Sequence, residues 1–204
     1  MGYDKIFISY SVKDRTLIQP ILEALQHIFD VCISEDKNNA GEALAGKVES
    51  DIESSNVIVP FLTLNSLASQ WVNQEIGYAY RLRKENGGEP LILPVAEAGV
   101  SPSGFLTKKE TEFIPLYSDD SNETAYQLVK RLREYVDRNY TVVDTVRVVC
   151  KKCDYVFSID LLSQSKIDDA IRTKRVIPAI CERCKTMNEL SPKTFSIVRQ
   201  VSYV

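Results

Sequence analysis

The chain has 204 residues, of which 44% are hydrophobic and 26% charged, and 25 basic residues stand against 28 acidic ones for a net charge of −3. These proportions are globular and exclude an intrinsically disordered chain, and the near balance of charge excludes a polybasic coat for nucleic acid or membrane. No apolar run approaches the roughly 18–20 residues of a membrane span, and the start MGYDKIF has no basic-then-apolar order. Ile6 stands where a myristoylation signal needs Ser or Thr, so a cytoplasmic protein with no lipid or membrane anchor is expected.

KIFISY (5–10) is a β-branched and aromatic run closed by the polar Ser11–Asp14, which predicts a buried strand. Leu17, Ile18, Ile21, Leu22, Leu25, Ile28 and Phe29 then recur at helical spacing, with Pro20 expected in the tolerant first turn. His27 falls off that apolar stripe and reads as solvated. DVCIS (30–34) is a second short strand, followed by the polar loop SEDKNNAGEALAG with Gly41. Leu44, Val48 and Ile52 mark a helix, and NVIVPFL (56–62) a third strand. Residues 65–84 read as one helix carrying Leu67, Trp71, Ile76 and Tyr80. PLILPV (90–95) is a fourth strand made irregular by its prolines. After a Gly- and Pro-rich loop at 99–104 come a short fifth strand at 113–116 and a last helix at 122–140. The expected buried side of that helix is Tyr126, Leu128, Val129, Leu132 and Val136. Five alternations of strand and helix predict an α/β fold, a flavodoxin-like doubly wound five-stranded parallel sheet that binds ligands at the carboxyl ends of its strands.

From residue 141 the pattern changes to the short β-rich stretches VVDTVRVVC, YVFSID, RVIPAIC and FSIVRQVSYV. The charge changes too: residues 1–146 carry 14 basic and 22 acidic residues, net −8, and residues 147–204 carry 11 and 6, net +5. Two domains, 1–140 and 141–204, are therefore expected, and the second has too few apolar residues to fold without a staple. Cys150-x-x-Cys153 and Cys181-x-x-Cys184 supply one, since four thiolates in two pairs suit tetrahedral zinc. The alternative is two disulfides or redox dithiols, which a cytosolic setting disfavours. Four protein ligands leave no open position, so the expected zinc is structural. The 27 residues between the pairs exceed a compact zinc ribbon and predict an inserted loop or helix around Ile167–Ile171. A zinc ion with four thiolates has charge −2, which lowers the module from +5 to about +3. Tyr155, Phe157, Phe195 and Tyr203 form no base-stacking motif, so nucleic acid is not the expected partner.

KIFISYS with Asp14, the Ala40–Gly41 pair after the second strand, and WVNQE with Trp71 four residues before Glu75 stand in a familiar order. Together they make residues 1–140 resemble a Toll/interleukin-1 receptor (TIR) domain. That family holds adaptors, which only bind other TIR domains, and enzymes that cleave the nicotinamide–ribose bond of NAD⁺. The resemblance to the prokaryotic hydrolases and cyclases implies NAD⁺ as substrate, not cofactor, with Glu75 as the catalytic carboxylate. It implies Tyr10, Ser11, Lys37, Gly41 and Trp71 as the substrate rim, with Lys37 near a phosphate. It further implies a cyclic ADP-ribose-type product beside ADP-ribose, homo-oligomers through TIR–TIR contacts, and a role in immune or stress signalling.

Elementary chemistry is consistent with one carboxylate being enough. Nicotinamide leaves NAD⁺ as a neutral molecule, so no general acid is needed, unlike ordinary glycosides with their two carboxylates. Glu75 could then stabilise the oxocarbenium-like transition state. Trp71 and Glu75 share a helix face. Some family members carry an aromatic residue two positions after the loop glycine, where this chain has Ala43. Taken singly, Glu75 also reads as a solvated helix carboxylate, Trp71 as a core aromatic, Ser11 as a turn residue and Lys37 as a surface charge. A non-enzymatic TIR scaffold is the alternative function.

Overall fold

The computed structural model describes residues 5–33, 42–100, 106, 113–139 and 145–201. The first part runs β1 (Lys5–Ser9), a 3-10 turn (Val12–Asp14), α1 (Arg15–Gln26), β2 (Asp30–Ile33), α2 (Glu42–Glu53) and β3 (Val57–Leu62). It continues through α3 (Leu64–Leu67), α4 (Gln70–Glu85), β4 (Leu91–Ile92), β5 (Val95–Glu97), β6 (Ile114–Leu116) and α5 (Ser121–Asn139). All strand pairs here are parallel, in the order β2-β1-β3-β5-β6, with β4 also beside β3.

Two expected elements are each divided, for identifiable reasons. The fourth strand is two pieces: β4 pairs with Val57 and Ile58, and β5 with Phe61 and Leu62 of the same neighbour. Pro94 lies between them and has no N–H for the ladder. The sheet therefore keeps five strand positions, in the flavodoxin-like order. The helix expected over 65–84 is α3 and α4, each with its own cap. Thr63 accepts from Ser66 N and Ser66 Oγ accepts from Thr63 N, while Ser69 accepts from Val72 N. Pro20 lies in the second turn of α1, not the first. The carbonyl it leaves unbonded is that of Thr16, whose residue is exposed and open to water.

Helices α1 and α5 pack together on one face of the sheet and α2 and α4 on the other. β1 serves both, because successive side chains in a strand point to opposite faces. Ile6 and Ile8 join the cluster of α1 and α5, and Phe7 joins that of Val48, Ile52 and Ala79.

The C-terminal region is β7 (Thr145–Val149), β8 (Val156–Asp160), α6 (Gln164–Arg172), β9 (Ile177–Ile180), β10 (Met187–Leu190) and β11 (Ile197–Val201). β7 and β8 form one antiparallel pair, and β11-β10-β9 an antiparallel sheet. α6 occupies the predicted insertion. β10 was not predicted, because MNEL is short and polar, although Asn188 and Leu190 point inward. Three turns share one geometry: Asp154, Lys185 and Phe195 have φ of 54°, 58° and 58°. Their N–H groups bond the carbonyls of Cys150, Cys181 and Ser191 at 2.8, 2.9 and 2.8 Å. The first two carry the cysteine pairs, and the third has Ser191 and Thr194 at the equivalent places. Among the described residues no helix is long and apolar enough to cross a membrane.

This region is packed onto the first part. The α1–α5 core continues without a break into Val146, Val148, Phe157 and Ile167. Tyr126 donates to Asp168 at 2.6 Å, Arg133 donates to Gln164 and to Leu162 O at 2.8 Å each, and Lys193 pairs with Glu123 at 2.5 Å. His27 is half-buried instead of solvated: its backbone O accepts from Arg147 N at 2.7 Å and its Nδ1 meets Arg147 O at 2.9 Å. The reason lies beyond α1 itself, since an added strand, β7, covers its end. The expected boundary between residues 140 and 141 lies outside the described residues.

Two of these contacts predict a pH dependence. The Lys193 ammonium holds Glu123 below its ordinary range, and the Tyr126 hydroxyl does the same for Asp168. Depressed carboxyl groups stabilise above their unfolded pKa, and that stability disappears as pH falls through the folded pKa. Urea denaturation from pH 6 down to pH 3 should therefore show stability declining, and Glu123→Gln should flatten part of the decline, a half-exposed pair contributing at most about 1 kcal/mol.

Candidate functional site

Glu75 sits in the second turn of α4 because the Ser69 cap starts the helix just before Trp71. Its residue is 4% exposed, so it is not the solvated helix carboxylate that an isolated glutamate suggests. The carboxylate is met from β1, where Ser9 is fully buried and its Oγ donates to Glu75 Oε2 at 2.5 Å. Ser9 follows Ile8 in the strand, so alternation aims it at the α2–α4 side.

Glu75 opens onto a cavity of about 250 Å³ lined also by Val48, Glu49, Ile52, Trp71, Gln74 and Tyr78. A second cavity of about 460 Å³ lies on the other side of Trp71 and Gln74, walled by the Ser11–Lys13 turn and by Asn65, Ala68, Ser69 and Gln70. Trp71 and Gln74 border both, so the two cavities adjoin at the indole and are treated together as the cleft. The site sits where β1 and β3 carry the chain to opposite sides, at the carboxyl ends of the strands, the place such sheets bind ligands. Trp71 is half-buried against the α2–α4 core and faces both cavities.

The walls of the larger cavity are tied together by Asp14. It is 8% exposed and accepts from Thr63 Oγ1 and from Asn65 Nδ2, both at 2.6 Å, while its own N–H bonds Ser11 O at 2.8 Å. Thr63 thereby caps α3 and braces the turn after β1 at once.

The structure brings Ser11, Trp71 and Glu75 to this cleft. Tyr10 lies elsewhere: it is 4% exposed and belongs to the core shared with α1 and α5, as alternation after Ser9 requires. Lys37 and Gly41 lie outside the described residues. Ser9, Gln74 and Asp14's role in bracing were missed, since a serine within an apolar strand carries no signal until the strand's facing is known. Lys13, at the turn, also borders the cleft and is a cation the sequence reading did not single out.

The four cysteines of the C-terminal region converge. Their sulfurs all lie within 4.8 Å of one another, with Cys150 to Cys184 at 3.6 Å and Cys153 to Cys181 at 3.7 Å. A tetrahedral zinc with Zn–S bonds of about 2.3 Å has edges of about 3.8 Å, whereas a disulfide requires about 2.05 Å. The four cysteines could thus hold a zinc ion, and all five cysteines are free of disulfides. Cys150 and Cys181 are wholly buried, Cys153 and Cys184 half-buried. Buried Asn188 supports the cluster: its amide lies 4.0 Å from Cys150 Sγ, bonds the carbonyls of Ala179 and Thr186, and is fixed by Gln200 at 2.7 Å.

A TIR domain family model matches residues 6–133. Among solved structures, the chain is similar to the TIR domains of the activated Roq1 resistosome recognising the pathogen effector XopQ, at 13% identity and a TM-score of 0.49. That likeness covers 63% of this chain and 98% of the other. It is also similar to the TIR domain of the Toll-related receptor TRR-2 from the lower metazoan Hydra magnipapillata, at 14% identity and a TM-score of 0.46. There the shares are 64% and 97%. No curated protein matches significantly. With the matched model spanning well over half of the chain, from β1 into α5, the protein belongs to the TIR domain family.

Proposed function

We propose that the protein is an NAD⁺ glycohydrolase and cyclase, and that the buried carboxylate of Glu75 beside the Trp71 cleft carries the reaction. The observation behind this reading is the burial itself: a carboxylate at 4% exposure, opening on a cavity, is costly to keep unless its charge is used. In the proposed reaction the C1′–N bond of the nicotinamide ribose breaks and its electron pair leaves with the ring, so nicotinamide departs neutral. The positive charge passes to the ribose, where Glu75 stabilises it. Water then closes the reaction to ADP-ribose, or another part of the same molecule attacks and gives a cyclic ADP-ribose-type product. Trp71 would hold the substrate folded for that second outcome. Lys37 and Gly41 remain proposed contacts, joined by Ser11 and by Lys13. The cysteine cluster is proposed as a structural zinc site, and immune or stress signalling as the setting, with homo-oligomers formed through TIR–TIR contacts.

A scaffold acting only by TIR–TIR association is the second reading. It draws on two exposed apolar side chains, Val12 of the turn that walls the larger cavity at 44% and Leu64 of α3 at 72% exposure, which a second copy could cover. Incubating concentrated protein with NAD⁺ and following nicotinamide by chromatography separates the two. Release of nicotinamide with ADP-ribose or its cyclic isomer supports the enzyme, and no consumption of NAD⁺ or NADP⁺ at any concentration supports the scaffold.

A further inference from the structure

We infer that Ser9 is a positioning residue for Glu75, holding its carboxylate in one orientation and in its charged form toward the cleft. The inference rests on the reading of Glu75 as the reacting carboxylate.

A glutamate side chain has three rotatable bonds, and a buried one in a cavity wall can turn away from its ligand. Here α4 supplies the backbone and β1 supplies the anchor, so the carboxylate is held from two elements that are 66 residues apart in sequence. Ser9 is itself pinned, being fully buried inside β1 between two parallel neighbours. Its hydroxyl has one proton to give, and that proton is directed at Oε2.

The chemical type of the donor also matters. Burial disfavours the ionised form of a carboxylate, and a hydrogen bond to that form offsets the penalty. A lysine or arginine would do so more strongly, but would also cancel the negative charge that a developing oxocarbenium ion needs. A neutral hydroxyl orients the carboxylate and keeps its charge. Among the described residues, Glu49 of α2 and Tyr78 of α4 are the other titratable groups lining the cavity. Tyr78 is engaged with Glu53 at 2.5 Å. The hydroxyl of Ser9 is a neutral donor that reaches Glu75 from the strand beneath α4.

The test compares Ser9→Ala and Ser9→Thr with the parent chain. Nicotinamide release by Ser9→Ala should have kcat about 10-fold lower with KM changed less than twofold, because the lost contact acts on the reacting carboxylate and not on substrate affinity. Ser9→Thr, which keeps the hydroxyl, should recover most of kcat. In parallel, the Glu75 carboxyl is titrated by carbon-13 NMR without substrate, its signal assigned by its disappearance in Glu75→Gln. Its midpoint should move up in Ser9→Ala and return in Ser9→Thr. Parental kcat together with an unmoved midpoint in Ser9→Ala would overturn the inference. If the parent releases no nicotinamide, the enzymatic reading fails, and the NMR titration still decides whether Ser9 sets the state of Glu75.

Discussion

Glu75→Gln should lower nicotinamide release by about 10²–10³-fold in kcat while leaving the protein at least as stable as the parent. The two effects have opposite signs because they have one cause. A carboxylate at 4% exposure, bonded by a neutral hydroxyl, is held away from water at a cost. An amide of the same shape removes that cost and can still accept from Ser9. If the charge serves the reaction, removing it costs activity and returns stability, the trade found where a site is strained for function. If Glu75 were structural, the same change would lower stability and leave kcat largely alone. Thermal melts and single-turnover kinetics on the same preparation distinguish these outcomes. A variant that melts lower and retains more than about a third of parental kcat would remove Glu75 from the catalytic role.

Glu75 also shows where the sequence is legible and where it is not. Apolar periodicity located β1, β2, β3, β6 and the helices of the first part, since each must bury one face, while α6 was expected only as a loop or helix from the length between the cysteine pairs. It did not divide 65–84 or 90–95, because caps and a ladder-breaking proline act locally while the apolar pattern runs on through them. WVNQE marked the carboxylate, and the order of motifs marked the fold. What was missing were partners that meet only in the folded chain: Ser9 for Glu75, Asp14 for Thr63 and Asn65, Arg147 for His27. Each pair joins residues from separate elements, so no spacing along the chain announces it. The cysteine pairs were legible because a metal site constrains residue type and spacing together. Asn188 was not, because its strand is four residues of mixed polarity.

The contacts on α1 and α5 lead to the second expected result. Chelating the metal, or changing Cys150 to Ser, should remove about one zinc per chain and lower the melting temperature of the whole chain by more than about 10 °C. The region from β7 to β11 has little core of its own, and structural zinc typically contributes about 10–16 kcal/mol to such modules. Without it the knuckles around Cys150 and Cys181 lose their reason to meet. The loss does not stop there. Val146, Val148, Phe157 and Ile167 belong to the same apolar cluster as Ile6, Ile8 and Leu128, and Tyr126, Arg133 and Glu123 would lose their partners on the other side. For a chain of this size each kcal/mol moves the midpoint by about 2–4 °C, so forfeiting about 5 kcal/mol of docking lowers it by about 10–20 °C. Activity should behave differently. The Glu75 cleft is built on the α2–α4 side of the sheet, and the cysteine region covers the α1–α5 side. Well below the lowered midpoint, metal-free protein should therefore retain kcat within about twofold. Zinc measured by elemental analysis, melting followed by calorimetry, and nicotinamide release at 15 °C check the three parts separately. Stoichiometric loss of metal with an unchanged midpoint would show that the cysteine cluster staples nothing. A collapse of kcat in protein that is still folded would show instead that the region reaches the Glu75 cleft through the sheet.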